Sequence, residues 1–234
     1  MDKLGDDLGR IRNALNGRYY GLYPAVVIQM VDPENRARVK VRLPWSPDRK
    51  ADHYEAWARL ATLMAGNRRG TWFRPEMGDE VLVAFEAGDP RQPYVLGSLW
   101  KGQDSPPEQM DEAGRNDCKT IRSREGVRIT WQDTPGAAQL LLETPTGQRV
   151  TLSGGSSAVL VEDGNGNSIT LAPSGITITA AAKVSIKAAQ IDVSAGAVTV
   201  DAGMSKFSGV VQCDTLVANA VVASSYTPGA GNIA

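Results

Sequence analysis

Apolar positions along the chain follow two periods. At the start, Leu4, Leu8, Ile11 and Leu15 are spaced four, three and four residues apart, one stripe of a helix, and Gly17 supplies a stop. That stripe predicts a short helix over 1–18, packed on its own domain or offered to a partner. From Leu22 the period shortens to two. Leu22 to Val31 is a mostly apolar, β-branched run, and Asp32-Pro33-Glu34-Asn35 is turn chemistry. Val39, Val41 and Leu43 alternate with Lys40 and Arg42, one face buried and one solvated, until Pro44 stops the strand. Ala56 to Leu63 reads as strand or helix, and Asn67-Arg68-Arg69-Gly70 as an exposed basic turn. Glu80 to Glu86 and Tyr94 to Trp100 are two more strands, separated by the loop Gly88-Asp89-Pro90-Arg91-Gln92-Pro93. Then Lys101 to Asp117, with Gly, Ser, Asp and two adjacent prolines, is linker chemistry.

Beyond the linker one pattern repeats. Apolar pairs with one residue between their members recur as Val127/Ile129, Leu140/Leu142, Val150/Leu152, Val159/Val161, Ile169/Leu171, Ile176/Ile178, Val184/Ile186, Ile191/Val193 and Val198/Val200. Their second members are 13, 10, 9, 10, 7, 8, 7 and 7 residues apart. This is strand alternation with little connecting chain. Two inward side chains per strand make a thin core. Burying a Val or Ile contributes roughly 1.5–3 kcal/mol, whereas ordering each residue costs roughly 1–2 kcal/mol in backbone entropy. Three chains wound about one axis solve the problem: each strand pairs with strands of neighbouring chains, and Val and Ile fill a shared axial core. A monomeric solenoid is the rival arrangement.

The division is also compositional. Residues 1–126 carry 20 Lys/Arg and 19 Asp/Glu, residues 127–234 only 5 and 7. Trp45, Trp57, Trp72 and Trp100 lie in the first part, and after Trp131 the aromatics are Phe207 and Tyr226. The first part therefore reads as a small closed β-barrel with large core residues, of OB type. The second is built from side chains too small for a thick core. The expected fold is all-β: a helix over 1–18, an OB-fold barrel over 19–102, a linker over 103–126, and a trimeric triple-stranded β-helix (β-prism) with its tip over 127–234. The net charge of −1 lacks the basic footprint of a general nucleic-acid binder. No apolar run is long enough for a membrane helix, and the acidic start Met1-Asp2-Lys3-Leu4-Gly5-Asp6-Asp7 is unlike a secretory signal. With two cysteines and no disulfide framework, synthesis in the cytoplasm is expected.

Specific residues carry a resemblance. Gly78-Asp79-Glu80-Val81-Leu82-Val83-Ala84-Phe85, followed by Gly88-Asp89-Pro90-Arg91-Gln92-Pro93-Tyr94-Val95-Leu96-Gly97-Ser98-Leu99-Trp100, resembles the OB-domain signature of contractile-tail central spikes: the phage baseplate assembly protein V group and the VgrG proteins of type VI secretion. Val39-Lys40-Val41-Arg42-Leu43-Pro44-Trp45 resembles that domain's V-x-V-x-x-P-W strand, and Gly164-Asn165-Gly166-Asn167-Ser168-Ile169-Thr170-Leu171 the start of its β-helix. Lys206 to Leu216 and Tyr226 to Asn232 are similar to the tip region of spikes from extracellular injection systems. The resemblance implies a homotrimer docked on a hub protein through its OB domains, projecting a β-helical needle and ending in a platform for a PAAR-type tip protein. Tyr226, Pro228, Gly229, Gly231, Asn232 and Ile233 are the implied partner-binding residues of that platform. It also implies a structural protein of a phage tail-like particle that meets a target cell envelope, with no catalytic residue, cofactor, metal or nucleic acid. The larger relatives' hub domain has no counterpart ahead of the barrel, which leaves the hub as a separate protein.

The remaining motifs have ordinary readings. His53 beside Asp52 and near Glu55 suggests an acid–base pair, but no nucleophile motif accompanies it and a solvated loop histidine explains it. Asp163-Gly164-Asn165-Gly166-Asn167 has oxygen ligands without the EF-hand spacing or its closing Glu, and reads as a tight turn. Cys118 and Cys213 are too isolated for zinc. Trp45, Trp57 and Trp72 with Arg68 and Arg69 fit either core and interface roles or a single-strand-binding groove. The apolar stretches Gly209-Val210-Val211 and Ala218 to Ala223 read as axial packing. Two alternatives remain: an OB-fold single-stranded nucleic-acid-binding protein with a monomeric β-solenoid extension, and a tail-borne hydrolase, which the lack of a catalytic constellation disfavours.

Overall fold

The computed structural model describes residues 17–46 and 53–225. The helix expected over 1–18 lies outside them except for Gly17 and Arg18. The chain divides into two units, Met1–Lys183 and Val184–Ala234.

The first unit begins with a closed barrel. Its strands are β1 (Tyr23–Gln29), β2 (Val39–Leu43), β3 (Tyr54–Leu60), β6 (Glu80–Phe85) and β7 (Pro93–Leu99), closing in the order β1-β2-β3-β7-β6. Alternation dictates the inside: Tyr23, Ala25 and Val27 of β1, Val39, Val41 and Leu43 of β2, and Val81, Val83 and Phe85 of β6 are buried. The stretch read as strand or helix is strand β3, because β2 needs a partner. Val39 to Leu43 pair in register with Ala58 to Tyr54, and Glu55 takes ion pairs from Lys40 at 2.8 Å and Arg42 at 2.9 Å across that ladder. The barrel closes through a short parallel contact, Arg59 opposite Tyr94 and Leu60 opposite Val95. Aromatic side chains plug one region of the core. Tyr23 stacks on Trp45 at 4.6 Å and Tyr19 meets Phe85 edge-on at 5.1 Å. Both polar handles are satisfied: Trp45 Nε1 donates to the Pro24 carbonyl at 2.9 Å, and the Tyr19 hydroxyl lies 2.7 Å from Ser46 Oγ.

Two turns on the barrel are better organised than their sequence suggested. The buried Asp32 carboxylate accepts hydrogen bonds from the backbone N–H groups of Glu34, Arg36 and Arg38 and from the Arg38 guanidinium. The Arg38 guanidinium, helped by these amides, holds the Asp32 pKa far below the usual carboxylate range. The basic turn at 67–70 is the tip of a small hairpin, β4 (Ala65–Gly66) with β5 (Arg69–Gly70).

After the barrel comes a seven-stranded antiparallel sheet in plain sequence order: β8 (Cys118–Arg122), β9 (Arg128–Gln132), β10 (Gln139–Glu143), β11 (Arg149–Ser153), β12 (Ala158–Glu162), β13 (Ser168–Ala172) and β14 (Gly175–Thr179). Two expectations are corrected here. The stretch read as linker over 103–126 contains β8, which Lys119 concealed by breaking the apolar pair. Its one large apolar residue, Ile121, is placed by pairing with Ile129. And between 118 and 179, where pairing between chains was expected, each strand is bonded to its neighbour in sequence within the one chain. The intervening turns close hairpins, as Gly126 and Gly147 do at positive φ of 87° and 89°.

In the second unit, the described residues 184–225 form no strand with one another. The apolar pairs Val184/Ile186, Ile191/Val193 and Val198/Val200 are exposed, Ile186 to 71%.

Candidate assembly interfaces

Register sorts the sheet into two unlike faces. On one face two rows run across all seven strands. The first is Ile121, Ile129, Leu142, Val150, Val161, Ile169 and Ile178; the second is Lys119, Trp131, Leu140, Leu152, Val159, Leu171 and Ile176. Only Lys119 interrupts the apolar character. Yet nothing in the chain covers this face among the described residues: Ile169 is 42% exposed, Leu171 41% and Ile176 70%. A contiguous apolar surface of this extent marks an interface. Covering it would contribute roughly 1 kcal/mol per side chain, about half the value for complete burial.

The opposite face is polar and ordered. Thr120, Thr130, Leu141, Thr151, Leu160, Thr170 and Thr177 form its central row. Beside it runs a ladder of alternating charge. Arg128 Nε donates to Glu143 at 2.7 Å, Arg149 Nε to the other oxygen of Glu143 at 2.8 Å, and Arg149 Nη1 to Glu162 at 3.3 Å. The two guanidiniums, Arg128 first, hold the Glu143 pKa below its ordinary value. These cross-strand bonds fix the register, and a one-residue slip would exchange the two faces. The apolar face is thus held in a fixed register and is uncovered among the described residues. Arg124, in the β8–β9 turn, pairs with Glu76 of the barrel segment at 2.6 Å and ties sheet to barrel.

The single motifs resolve individually. Tyr226, Pro228, Gly229, Gly231, Asn232 and Ile233 lie outside the described residues. Asp163 accepts from the amides of Asn165 and Asn167 at 2.8 and 3.0 Å and from Asn167 Nδ2 at 2.7 Å. The Asn167 side chain and these amides bring its pKa down to about 2. Its two oxygens close the turn by accepting these hydrogen bonds. Among the described residues no group of three or more His, Cys, Asp or Glu is arranged to hold a metal ion. Both cysteines are free, and burial pushes the Cys118 thiol pKa up. The tryptophan set separates: Trp45 is packed against the barrel core, Trp57 is half-buried beneath Arg38, and Trp72 is exposed near Arg68 and Arg69. No helix among the described residues is long and apolar enough to cross a membrane. Periodicity alone missed the Arg128–Glu143–Arg149–Glu162 ladder. Its signal is present in sequence, since these four charges all end or begin a strand, but only pairing aligns them.

Comparison with known proteins agrees with this division. Residues 23–100 match the type VI secretion system/phage-baseplate injector OB domain, and residues 139–204 match the phage baseplate V C-terminal trimerisation domain. The first match covers the barrel strands, and the second begins at β10 and runs into the second unit. Type VI secretion system spike protein VgrG3 of Vibrio cholerae is 30% identical over 115 residues, 47% of this chain and 11% of that protein. Spike protein VgrG1c of Pseudomonas aeruginosa is 28% identical over 127 residues, 51% of this chain and 18% of the relative. Spike protein VgrG5 of the same organism is 34% identical over 100 residues, 41% and 13%. The chain thus aligns with under a fifth of these relatives' length. An injector OB domain on the barrel, a trimerisation domain on the open sheet and the following repeats, and spike proteins as relatives together place the chain in the phage-baseplate V and VgrG-like family of structural spike proteins.

Proposed function

We propose that this protein is the central spike of a contractile tail or injection baseplate, and that it works as a homotrimer. The apolar face of the β8–β14 sheet is the observation that carries this reading. Three copies turned inward about one axis would bury those rows against one another and leave the charged ladders outside. Residues 184–200, whose apolar pairs have no strand partner among the described residues, would then find their backbone partners in the other two copies. Each strand would be ordered by, and contribute to, an interchain ladder. The mechanism is mechanical. Contraction of a sheath would drive the needle against a target envelope, and load would be spread over many hydrogen bonds. Intertwined chains separate only by unwinding, so resistance to force would be kinetic.

In this arrangement the barrels form the base and dock on a hub protein. The Gly- and Ala-rich end from Ser224 to Ala234 makes a trimeric platform, with Tyr226, Pro228, Gly229, Gly231, Asn232 and Ile233 capped by a PAAR-type tip protein. Light scattering on the purified chain, with an unboiled gel lane, tests the core of the proposal. The expected mass is three times the 25.0 kDa chain, in a form that survives detergent until boiled. A monomer mass overturns it and turns attention to a one-chain solenoid.

A further inference from the structure

The barrel bears a cleft of about 590 Å³ beside the β4–β5 hairpin. Five arginines line it, Arg36, Arg59, Arg68, Arg69 and Arg74, with no carboxylate among its lining residues. Arg36 is paired with Glu34 at 3.1 Å. Among the described residues, no carboxylate lies within ion-pair distance of the other four. Arg74 spends its Nη2 on the carbonyls of Met30 and Arg38, at 2.6 and 2.9 Å. A chain of net charge −1 therefore gathers uncompensated positive charge at one concave place. Apolar surface lies in the same cleft: Trp72 is 69% exposed and Phe73 76%. A second cleft of about 470 Å³ shares Arg36 and Arg59 with the first and extends it past Trp57 and Tyr94.

We propose that this arginine-lined cleft receives a carboxylate-bearing, partly apolar segment of a partner protein, and that it is the surface through which the barrel docks in the baseplate. The inference rests on the docking reading above and names its chemistry. Planar guanidinium forks recognise carboxylates in bidentate geometry, and Phe73 with Met64 offers a seat for an apolar side chain between them. Single-stranded nucleic acid is the competing anion. It is disfavoured because three of the four rings at the two clefts have a stacking face taken by a guanidinium, Arg74 over Trp72 at 5.2 Å, Arg59 over Tyr94 at 5.5 Å and Arg38 over Trp57 at 5.6 Å, which leaves Phe73 as the one ring there with both faces free of a guanidinium. The two arginines that the second cleft adds are also paired with carboxylates, Arg38 with Asp32 at 2.8 Å and Arg91 with Asp89 at 2.7 Å, so the uncompensated charge does not continue as the basic track that a polyanion follows.

The test is fluorescence anisotropy on the full chain with three labelled probes: a short peptide alternating Glu with Leu and Phe, the same peptide with Gln for Glu, and oligothymidylate of equal charge. Saturable binding of the Glu peptide is expected. Its affinity should fall about tenfold or more in the double variant Arg68→Glu/Arg69→Glu and with the Gln peptide, the scale of lost charge-assisted hydrogen bonds. It should stay unchanged in Lys206→Glu, outside the barrel. Trp72→Ala, which leaves the arginines in place, should weaken binding less, and it serves as the readout if the double variant does not fold. Absence of saturable binding, equal binding by the double variant, or tighter binding of oligothymidylate overturns the inference. The mass of the same samples is read alongside. A monomer mass overturns the spike assembly whatever the peptide does, whereas a trimer mass with no peptide binding overturns only the cleft.

Discussion

Arg128 Nε and Glu143 Oε2 are 2.7 Å apart on adjacent strands, and the other oxygen of Glu143 takes Arg149. One carboxylate therefore ties β9, β10 and β11 in register. The Glu143 pKa is lowered from 4.5 on folding, so its contribution to stability is present above that value and is lost as pH falls through the folded pKa. Glu143→Gln should lower the unfolding temperature at pH 7, by the equivalent of about 1 kcal/mol for partly exposed pairs. The difference from wild type should shrink as the pH falls through the folded carboxyl's pKa, which lies below 4.5. Thermal melts of both proteins across that range check the sign.

The open sheet face predicts an asymmetry between its two sides. Leu152→Asp or Val161→Asp places a charge in the apolar rows and should shift the purified chain toward monomer. Thr179→Asp, exposed on the opposite face, should leave the mass unchanged. Sedimentation or light scattering separates the two outcomes, and equal behaviour of the variants would refute the assignment of the buried side.

Detergent resistance should reside in the repeats after the sheet. A chain truncated after Lys183 keeps all seven strands of the sheet but loses the pairs from Val184 onward. It should lose its boil-dependent gel band at much lower temperature than the full chain, because the intertwined ladder supplies the kinetic barrier. A truncated chain as resistant as the full one would assign that barrier to the sheet instead.

Inside the barrel, Tyr19 and Ser46 form a buried polar pair, with Ser46 only 2% exposed. Tyr19→Phe strands the serine hydroxyl and should cost about 1–2 kcal/mol. Adding Ser46→Ala should recover most of that loss, since removing both partners leaves nothing unsatisfied. Chemical denaturation of each variant, followed by tryptophan fluorescence to which Trp45 in the barrel contributes with the four other tryptophans, measures these losses.

The Asp163 turn separates a structural carboxylate from a cation ligand. Asp163→Ala should accelerate amide exchange at Asn165 and Asn167, whose N–H groups lose their acceptor. Calcium should change neither the exchange nor the melting temperature of the wild-type chain. A calcium-dependent rise would overturn the closed-turn reading.

Much of the strand content was legible because alternation is local. Val39, Val41 and Leu43 announce β2 by themselves, and the pairs from Leu140/Leu142 to Ile176/Ile178 each mark one strand of the sheet. Strand β8 was hidden because Lys119 sits where the repeat wants an apolar residue, and its place is decided by pairing with β9. The ladder from Arg128 to Glu162 was hidden for a related reason: its members are separated by whole hairpins.

By itself, then, the sequence determined a charged, aromatic-rich barrel half and a small-residue repeat half, with most strands of the barrel and of the sheet that follows it. Those properties follow from period, composition and turn chemistry within a few residues. Only tertiary structure decided that strands 118–179 pair within one chain and that their apolar pairs line up in two rows on one face, left uncovered among the described residues. It alone also brought Arg36, Arg59, Arg68, Arg69 and Arg74 around one cleft. These depend on register and barrel closure, which join residues far apart along the chain and leave no mark in any local window.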